Sequence, residues 1–220
     1  MIRFDNVSKT YHLRNFNKLV FADLNFTIEK GESIGICGAN GAGKSTLMRL
    51  ISGVEQPTTG KITRTMSTSW PIGYSSCFQS SLTGADNARF ISRIYNRDEH
   101  ELLSFVEDFA QLGPYLYQPV HTYSAGMGAR LAFGISIAVD FECYLVDEVT
   151  GAGDERFRAK SEEALISRRD RATLIMISHD PGTLKAYCTR GAVLCAGSLV
   201  HFDSVEEACE LHHWLQARGV

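Results

Sequence analysis

The sequence predicts an α/β fold with a parallel sheet core, an N-terminal antiparallel β subdomain and an inserted helical subdomain. Three observations carry that expectation. The first third alternates apolar and polar residues with period two, a short apolar strand runs into a glycine-rich loop followed by a helical pattern, and strands then alternate with helices after residue 143.

Taken in order, Ile2-Arg3-Phe4-Asp5 and Leu24-Asn25-Phe26-Thr27-Ile28 read as half-buried antiparallel strands. Ser33-Ile34-Gly35-Ile36-Cys37 is a compact strand, and Ser45 to Ile51 is helical. The middle, about Asp86 to Val139, reads as helices, with Asn87 to Tyr95 in one and Leu102 to Phe109 in the next. Tyr144-Leu145-Val146 and Thr173 to Ile177 are strands, with a helix near Arg156 to Arg169 between them. Pro181 suits the first turn of another helix, and Val205 to Ala217 forms the last. Strands separated by helices imply right-handed crossovers and a parallel sheet covered on both faces. The whole chain, 1–220, is expected to form one domain, with the helical part at about 80–139.

A formal net charge of −3 gives no overall electrostatic footprint for nucleic acid, which is therefore not an expected partner. None of the six cysteines forms a C-x-x-C pair, and Cys37, Cys143 and Cys195 sit in apolar strand-like stretches, which reads as core thiols. His212 and His213 lack partner ligands at metal spacing and read as a solvated helix face. Trp70 and Phe90 read as core aromatics, with a docking cleft as the other reading. The start, Met1 to Tyr11, is polar and strand-like, unlike a signal peptide. Apolar stretches such as Leu131 to Val139 fall far short of the ~18 residues of a membrane span, so a membrane role requires a partner.

Gly38-Ala39-Asn40-Gly41-Ala42-Gly43-Lys44-Ser45 matches G-x-x-x-x-G-K-[ST], a pattern expected by chance in about one chain of this length in a hundred. Successive backbone N–H groups can curl around a phosphate only where side chains do not intervene, and the following helix adds its positive end. Lys44 reaches for the β- and γ-phosphates of ATP, Ser45 offers a hydroxyl to Mg²⁺, and Thr46 follows. Downstream, Cys143 to Val146 is a buried strand ending in Asp147 and Glu148. Asp147 is expected in the Mg²⁺ shell opposite Ser45, and Glu148 as the group that orients or deprotonates the attacking water.

After Lys44 come Phe78-Gln79, Tyr123-Ser124-Ala125-Gly126-Met127, Asp147-Glu148, Gly151-Ala152-Gly153-Asp154 and Ser178-His179. In this order they resemble the ATP-binding-cassette ATPases over essentially the whole chain, a family of P-loop NTPases. The resemblance implies that Gln79 senses Mg²⁺ and the attacking water, and that His179 is the switch histidine on the γ-phosphate. It implies that Tyr11 stacks on adenine and that Asp154 is the aspartate of the D-loop. Ser124-Ala125-Gly126 departs from the commoner L-S-G-G-Q, with Ala125 and Met127 replacing glycine and glutamine. By resemblance this segment faces the γ-phosphate bound by a second copy of the chain, giving a nucleotide-sandwich dimer.

Thr122 to Met127, Ser69 to Gly73, Gln79 to Gly84 and Val149 to Asp154 further resemble the ATPases that export capsular polysaccharide across bacterial inner membranes. Exporters of O-antigen and teichoic acid, the nearest alternative, often append a C-terminal extension. Little chain follows the helix Val205 to Ala217, which favours the capsule type. That resemblance implies a cytoplasmic-face location through a transmembrane permease subunit, further envelope export proteins, and lipid-linked polysaccharide as cargo. Segment Ser80 to Asn96 would pass motion to the permease. A soluble mechanical ATPase of the same superfamily remains an alternative. Against it, repair members carry a long coiled coil whereas Gln79 and Tyr123 are 44 positions apart, and ribosome-type members carry two cassettes. A P-loop kinase should lack Ser124 to Gly126 and the Asp154/His179 pair. A non-enzymatic nucleotide-binding module should lose Lys44, Glu148 or His179.

Overall fold

The computed structural model describes residues 1–72, 78–147 and 155–218. In chain order the elements are β1 (Ile2–His12), β2 (Asn17–Ile28), β3 (Ser33–Gly38), α1 (Lys44–Ser52), β4 (Thr59–Arg64) and β5 (Thr68–Ile72). Then come α2 (Gly84–Ile94), α3 (Glu99–Ala110) and α4 (Ala125–Ala138). The last are β6 (Cys143–Asp147), α5 (Glu155–Arg169), β7 (Thr173–Ile177), α6 (Pro181–Tyr187), β8 (Arg190–Cys195), β9 (Ser198–Phe202) and α7 (Val205–Ala217). The chain divides into two compact units.

The first unit comprises Met1–Pro71, Glu142–Glu148 and Arg168–Val220. Its antiparallel sheet has the order β2-β1-β4, so the expected pair of strands gains a third that arrives after α1. Ile2, Phe4 and Val7 alternate inward along β1 and join Phe21, Leu24 and Ile28 in the core. The larger sheet has the order β5-β6-β7-β3-β8-β9, with β6, β7, β3 and β8 parallel and β9 antiparallel at the edge. Every residue of β3 and β7 is buried, as expected of central parallel strands covered on both faces.

Leu47, Met48, Leu50 and Ile51 bury one side of α1 in the core. The helix ends at Gly53, whose φ of 80° is the left-handed conformation that closes helices. Arg64 of β4 donates to the terminal carbonyls of Leu50 and Ile51, tying the antiparallel sheet to this helix.

In α7 the buried residues Val205, Ala208, Cys209 and His212 follow helical spacing. His212 is therefore not on a solvated face as the sequence suggested; the inward stripe of the helix includes it, and only His213 faces out. Cys37, Cys143 and Cys188 are buried free thiols that burial pushes up to about 12. Cys195, at the end of β8, is only half-buried, and Cys77 lies outside the described residues.

The second unit comprises Ile72–Phe141 and Val149–Ser167. It holds α2, α3 and α4, capped at their starts by the side chains of Thr83, Asp98 and Ser124. Its core is a cluster of rings in which Phe109 stacks on Phe105 and Phe133 at 5.5 and 5.7 Å, with Phe157 of α5 edge-on at 5.6 Å. Phe90 is not in that core: it is 57% exposed, because the inward stripe of α2 is made by Ala85, Ala88 and Ile91. Trp70, in β5, is half-buried. Among the described residues no helix is long and apolar enough to cross a membrane.

Burial holds His201 and His212 below the usual imidazole range, His201 further lowered by Arg190 and His212 by Lys44 and His213. Their Nε2 atoms are buried without a hydrogen-bond partner. A base depressed in the folded state is protonated first in the unfolded chain, so stability falls as pH drops below about 6.5. The stabilisation from the depressed carboxylates, Glu55 and Asp86 among them, is present above about pH 4.5 and is lost only below it, which separates the two effects. Denaturant midpoints at pH 7.5 and 5.5 should therefore differ, and the His201→Phe/His212→Phe protein should show a smaller difference.

Candidate functional site

β3 leads into the loop Gly38–Gly43, which closes through the bond from Ala42 N–H to the Ala39 carbonyl at 3.1 Å. Its most constrained glycine is Gly43. At φ 107° it is in a conformation that L side chains rarely adopt, and a Cβ there would stand 2.6 Å from Val20 Cγ1 and 2.9 Å from the Phe21 ring. Gly38 is pressed against β8, where a Cβ would lie 2.8 Å from the Leu194 carbonyl. The Lys44 ammonium donates to the carbonyls of Gly38 at 2.7 Å and Ala39 at 3.0 Å. Two of its three donors thus orient it over the loop, leaving a third direction for an anion. α1 starts with no side-chain cap and no acid in its first turn. The backbone N–H groups of Lys44, Ser45 and Thr46 and the exposed Ser45 hydroxyl therefore form a positive helix end suited to phosphate.

The register of the large sheet assembles the rest of this half. Ile36 pairs with Ile177, and Ile177 with Asp147, so β3, β7 and β6 end at one level. The loop beginning at Gly38, Asp147 at the tip of β6, and Ser178-His179 just after β7 consequently lie along the same carboxyl edge. In open α/β sheets, ligands bind in the crevice at that edge. His179 is exposed there, and Ser178 is buried with its hydroxyl accepting from the Asp180 N–H at 3.1 Å. Asp180 caps α6, accepting from Thr183 N–H at 2.7 Å, and hydrogen bonds from Thr183 hold its carboxyl below the ordinary range. Glu148 and Asp154 lie outside the described residues.

Tyr11, near the end of β1, is half-buried and joined to α1 through its hydroxyl. That oxygen donates to Glu55 Oε2 at 2.8 Å and accepts from Arg49 Nη2 at 2.9 Å. Arg49 also donates to Thr46 Oγ1, so the Thr46 hydroxyl is turned toward this network and only its backbone N–H belongs to the helix end. Ala39, Asn40 and Ala42 also border a cavity of about 280 Å³ against the end of β8 and α7, with His212 and Leu215 in its lining.

The second unit carries the other sequence-selected residues. Gln79 is exposed, its Nε2 3.2 Å from Ser81 Oγ. Ser124 stands at the start of α4, its Oγ accepting from Met127 N–H at 3.2 Å. Ala125 and Gly126 form the first turn, whose N–H groups have no partner within the helix. Replacement of the usual glycine and glutamine by Ala125 and Met127 thus leaves a regular, serine-capped helix start.

Two features of this unit were not found from the sequence. Asn87 is 3% exposed, accepts from the Gln79 N–H at 2.9 Å and donates to the Gln79 and Thr83 carbonyls at 3.1 and 2.9 Å. A short ladder also links the chain after Gln79 to the chain before Ser124, with Val120 N–H to Leu82 at 2.9 Å and His121 N–H to Ser80 at 2.9 Å. The signal for Asn87 was an amide on the inward stripe of an apolar helix; the ladder joins residues about 40 apart and left no local pattern.

The family profile described as ABC transporter matches residues 21–151. The chain is 52% identical over 215 residues to the capsule polysaccharide export ATP-binding protein CtrD of Neisseria meningitidis serogroup B, covering 98% of this chain and 100% of that one. It is 40% identical over 219 residues to the polysialic acid transport ATP-binding protein KpsT of Escherichia coli, covering 98% of each. The teichoic acids export ATP-binding protein TagH of Bacillus anthracis is 32% identical, and only 41% of its length is covered. Among solved structures, the dimeric post-hydrolysis state of the ATP-binding cassette MJ0796 bound to ADP and Pi superposes with a TM-score of 0.78 at 20% identity. The alignment covers 90% of this chain and 96% of that one, and it shows a shared fold.

Asn87→Ala should strand the Gln79 N–H, at a cost of up to about 1–3 kcal/mol, while the Gln79 carbonyl keeps the Leu82 N–H at 3.1 Å. We expect a lower melting temperature and slower ATP turnover with nucleotide affinity little changed, measured by thermal unfolding, steady-state kinetics and equilibrium binding.

Proposed function

Because this chain belongs to the ATP-binding-cassette transporter family, we propose that it is the ATP-hydrolysing subunit of a bacterial inner-membrane exporter of capsular polysaccharide. The observation that carries the hydrolytic reading is the glycine-constrained loop with Lys44 fastened over it, on the same sheet edge as Asp147 and His179. The cargo reading is supported by near full-length similarity to ATP-binding proteins named for capsule polysaccharide export, at 40–52% identity. The two units together form one ATPase domain, the second being its helical subdomain.

In this reading the loop amides from Gly38 to Gly43, with Lys44 and the start of α1, bind the β- and γ-phosphates and neutralise charge as the bond to the γ-phosphate breaks. Tyr11 stacks on the adenine. Ser45 and Asp147 offer a hydroxyl and a carboxylate, hard oxygen donors that suit Mg²⁺, and Gln79 is read by family resemblance as the glutamine that senses Mg²⁺ and the attacking water. When bound there, Mg²⁺ would supply further charge neutralisation to the phosphates. Glu148 orients the attacking water and accepts its proton, and His179 donates to the γ-phosphate. Ser124, Ala125 and Gly126 close on the γ-phosphate held by a second copy of the chain, and Asp154 serves as the aspartate of the D-loop.

Closure of the two copies on ATP and reopening after hydrolysis drive a separate membrane-spanning permease, which holds the chain at the cytoplasmic face. Segment Ser80 to Asn96 passes the motion on; Phe90, exposed on α2, is an apolar side chain available for that contact. Lipid-linked polysaccharide is the cargo, and further envelope proteins continue its export.

Two variants test the reading. Glu148→Gln should retain ATP binding while turnover falls about a hundredfold or more, as expected on loss of a general base. Lys44→Ala should weaken ATP binding and abolish turnover. Neither variant should restore surface capsule to a strain lacking the wild-type gene, scored by capsule immunoblot. Normal turnover in both would defeat the proposal, and loss of turnover accompanied by loss of a different surface glycan would replace only the cargo.

A further inference from the structure

The Tyr11 hydroxyl is engaged more heavily than stacking requires, since an adenine needs only the ring face. It donates to Glu55 Oε2 at 2.8 Å and accepts from Arg49 Nη2 at 2.9 Å, while Arg49 Nε donates to the same Glu55 oxygen at 3.0 Å. The other carboxylate oxygen, Oε1, is 2.8 Å from Lys9 Nζ, which also donates to the Gln56 carbonyl at 2.8 Å and stands 5.1 Å from the centre of the Tyr11 ring. Lys9 is only 9% exposed and Glu55 is half-buried, while Arg49 is exposed, so the network is shielded on its Lys9 side. Burial alone would raise the Glu55 carboxyl. Hydrogen bonds from Lys9, Arg49 and Tyr11 outweigh it and hold the group at about 2, so Glu55 is an anion at any physiological pH.

The position of Tyr11 in the sheet explains why such a network is needed. β1 pairs with β4 only as far as Ser8, opposite Thr59; beyond it the ladder continues with β2 alone to the turn after His12, with the Thr58 hydroxyl adding one side-chain link to the Thr10 backbone. Leu13, Phe16 and Leu19, at and beside that turn, are 49%, 60% and 60% exposed, so the end of the hairpin has little core of its own. Two-stranded ribbons are marginally stable without packing on one face. Tyr11 lies on this part with one side of its ring against the edge of the core, and its hydroxyl attaches it to α1, the helix that begins with Lys44 and Ser45.

We infer that Glu55 and Arg49 are positioning residues for Tyr11, locking the adenine-stacking ring to the phosphate-binding helix so that base and phosphate subsites keep a set spacing. Neither residue touches the nucleotide in this account; they act by removing the ring's freedom before binding. The inference rests on the reading of Tyr11 as the adenine-stacking residue. It also requires tyrosine specifically, since phenylalanine keeps the stacking face and loses the tether.

The test measures binding of ATP and of inorganic tripolyphosphate to the full-length protein by calorimetry. Tripolyphosphate uses the loop and Lys44 and has no base. Tyr11→Phe and Glu55→Ala should each weaken ATP about tenfold, the size expected for losing a preorganised aromatic contact, and leave tripolyphosphate affinity unchanged. Glu55→Gln, which keeps an acceptor for the hydroxyl, should recover part of the loss. The Tyr11→Phe/Glu55→Ala double variant should bind ATP no worse than either single, because both break one link. If Glu55→Ala weakens ATP and tripolyphosphate equally, the residue supports the loop generally and the inference fails. If Tyr11→Ala weakens ATP while Glu55→Ala and Tyr11→Phe do not, the tether fails and the stacking role stands. If Tyr11→Ala also binds ATP normally, the stacking role itself falls.

Discussion

The structure is organised around one electrostatic constraint: a cation and a row of backbone N–H groups must be held facing the same point without a side chain between them. Lys44 supplies the cation and is braced by the Gly38 and Ala39 carbonyls. The loop that carries the amides is constrained at both ends. Gly43 is wedged against Val20 and Phe21, and Gly38 against the backbone of β8. A site built this way is preorganised, so little rearrangement opposes the binding of a highly charged ligand.

Much of the first unit serves to keep that loop in place. β3 is central in a parallel sheet and buried throughout, which anchors the entry to the loop. α1, which anchors the exit, is seated by Leu47, Met48, Leu50 and Ile51 and gripped at its far end by Arg64 of β4. The antiparallel sheet therefore contributes to nucleotide chemistry without supplying a phosphate ligand. It presses Val20 and Phe21 on Gly43, caps α1 and carries Tyr11.

The second unit applies the same logic to its own two elements. Asn87 fastens the backbone of Gln79, and the ladder between Ser80–Leu82 and Val120–His121 fastens the chain leading to Ser124. Gln79 and the start of α4 are thus parts of one hydrogen-bonded body. On the proposed function, a water-sensing glutamine and a segment that meets the second nucleotide gain from moving together.

The sequence by itself determined the local chemistry. The glycine spacing before Lys44 and the buried strand ending in Asp147 were legible because each depends on neighbours a few residues away, whereas Gln79, Ser124 and His179 were singled out only because their joint order resembles the family. The parallel core was legible for the same reason, since strand and helix periods repeat over short windows. What only the tertiary structure decided was partnership across distance. Glu55 and Arg49 on Tyr11, Asn87 on Gln79, Arg64 on the end of α1 and the inward turn of His212 leave no motif. A lone polar residue acquires its role from whatever packing brings against it, and packing is settled by the burial of the whole core rather than by adjacent residues.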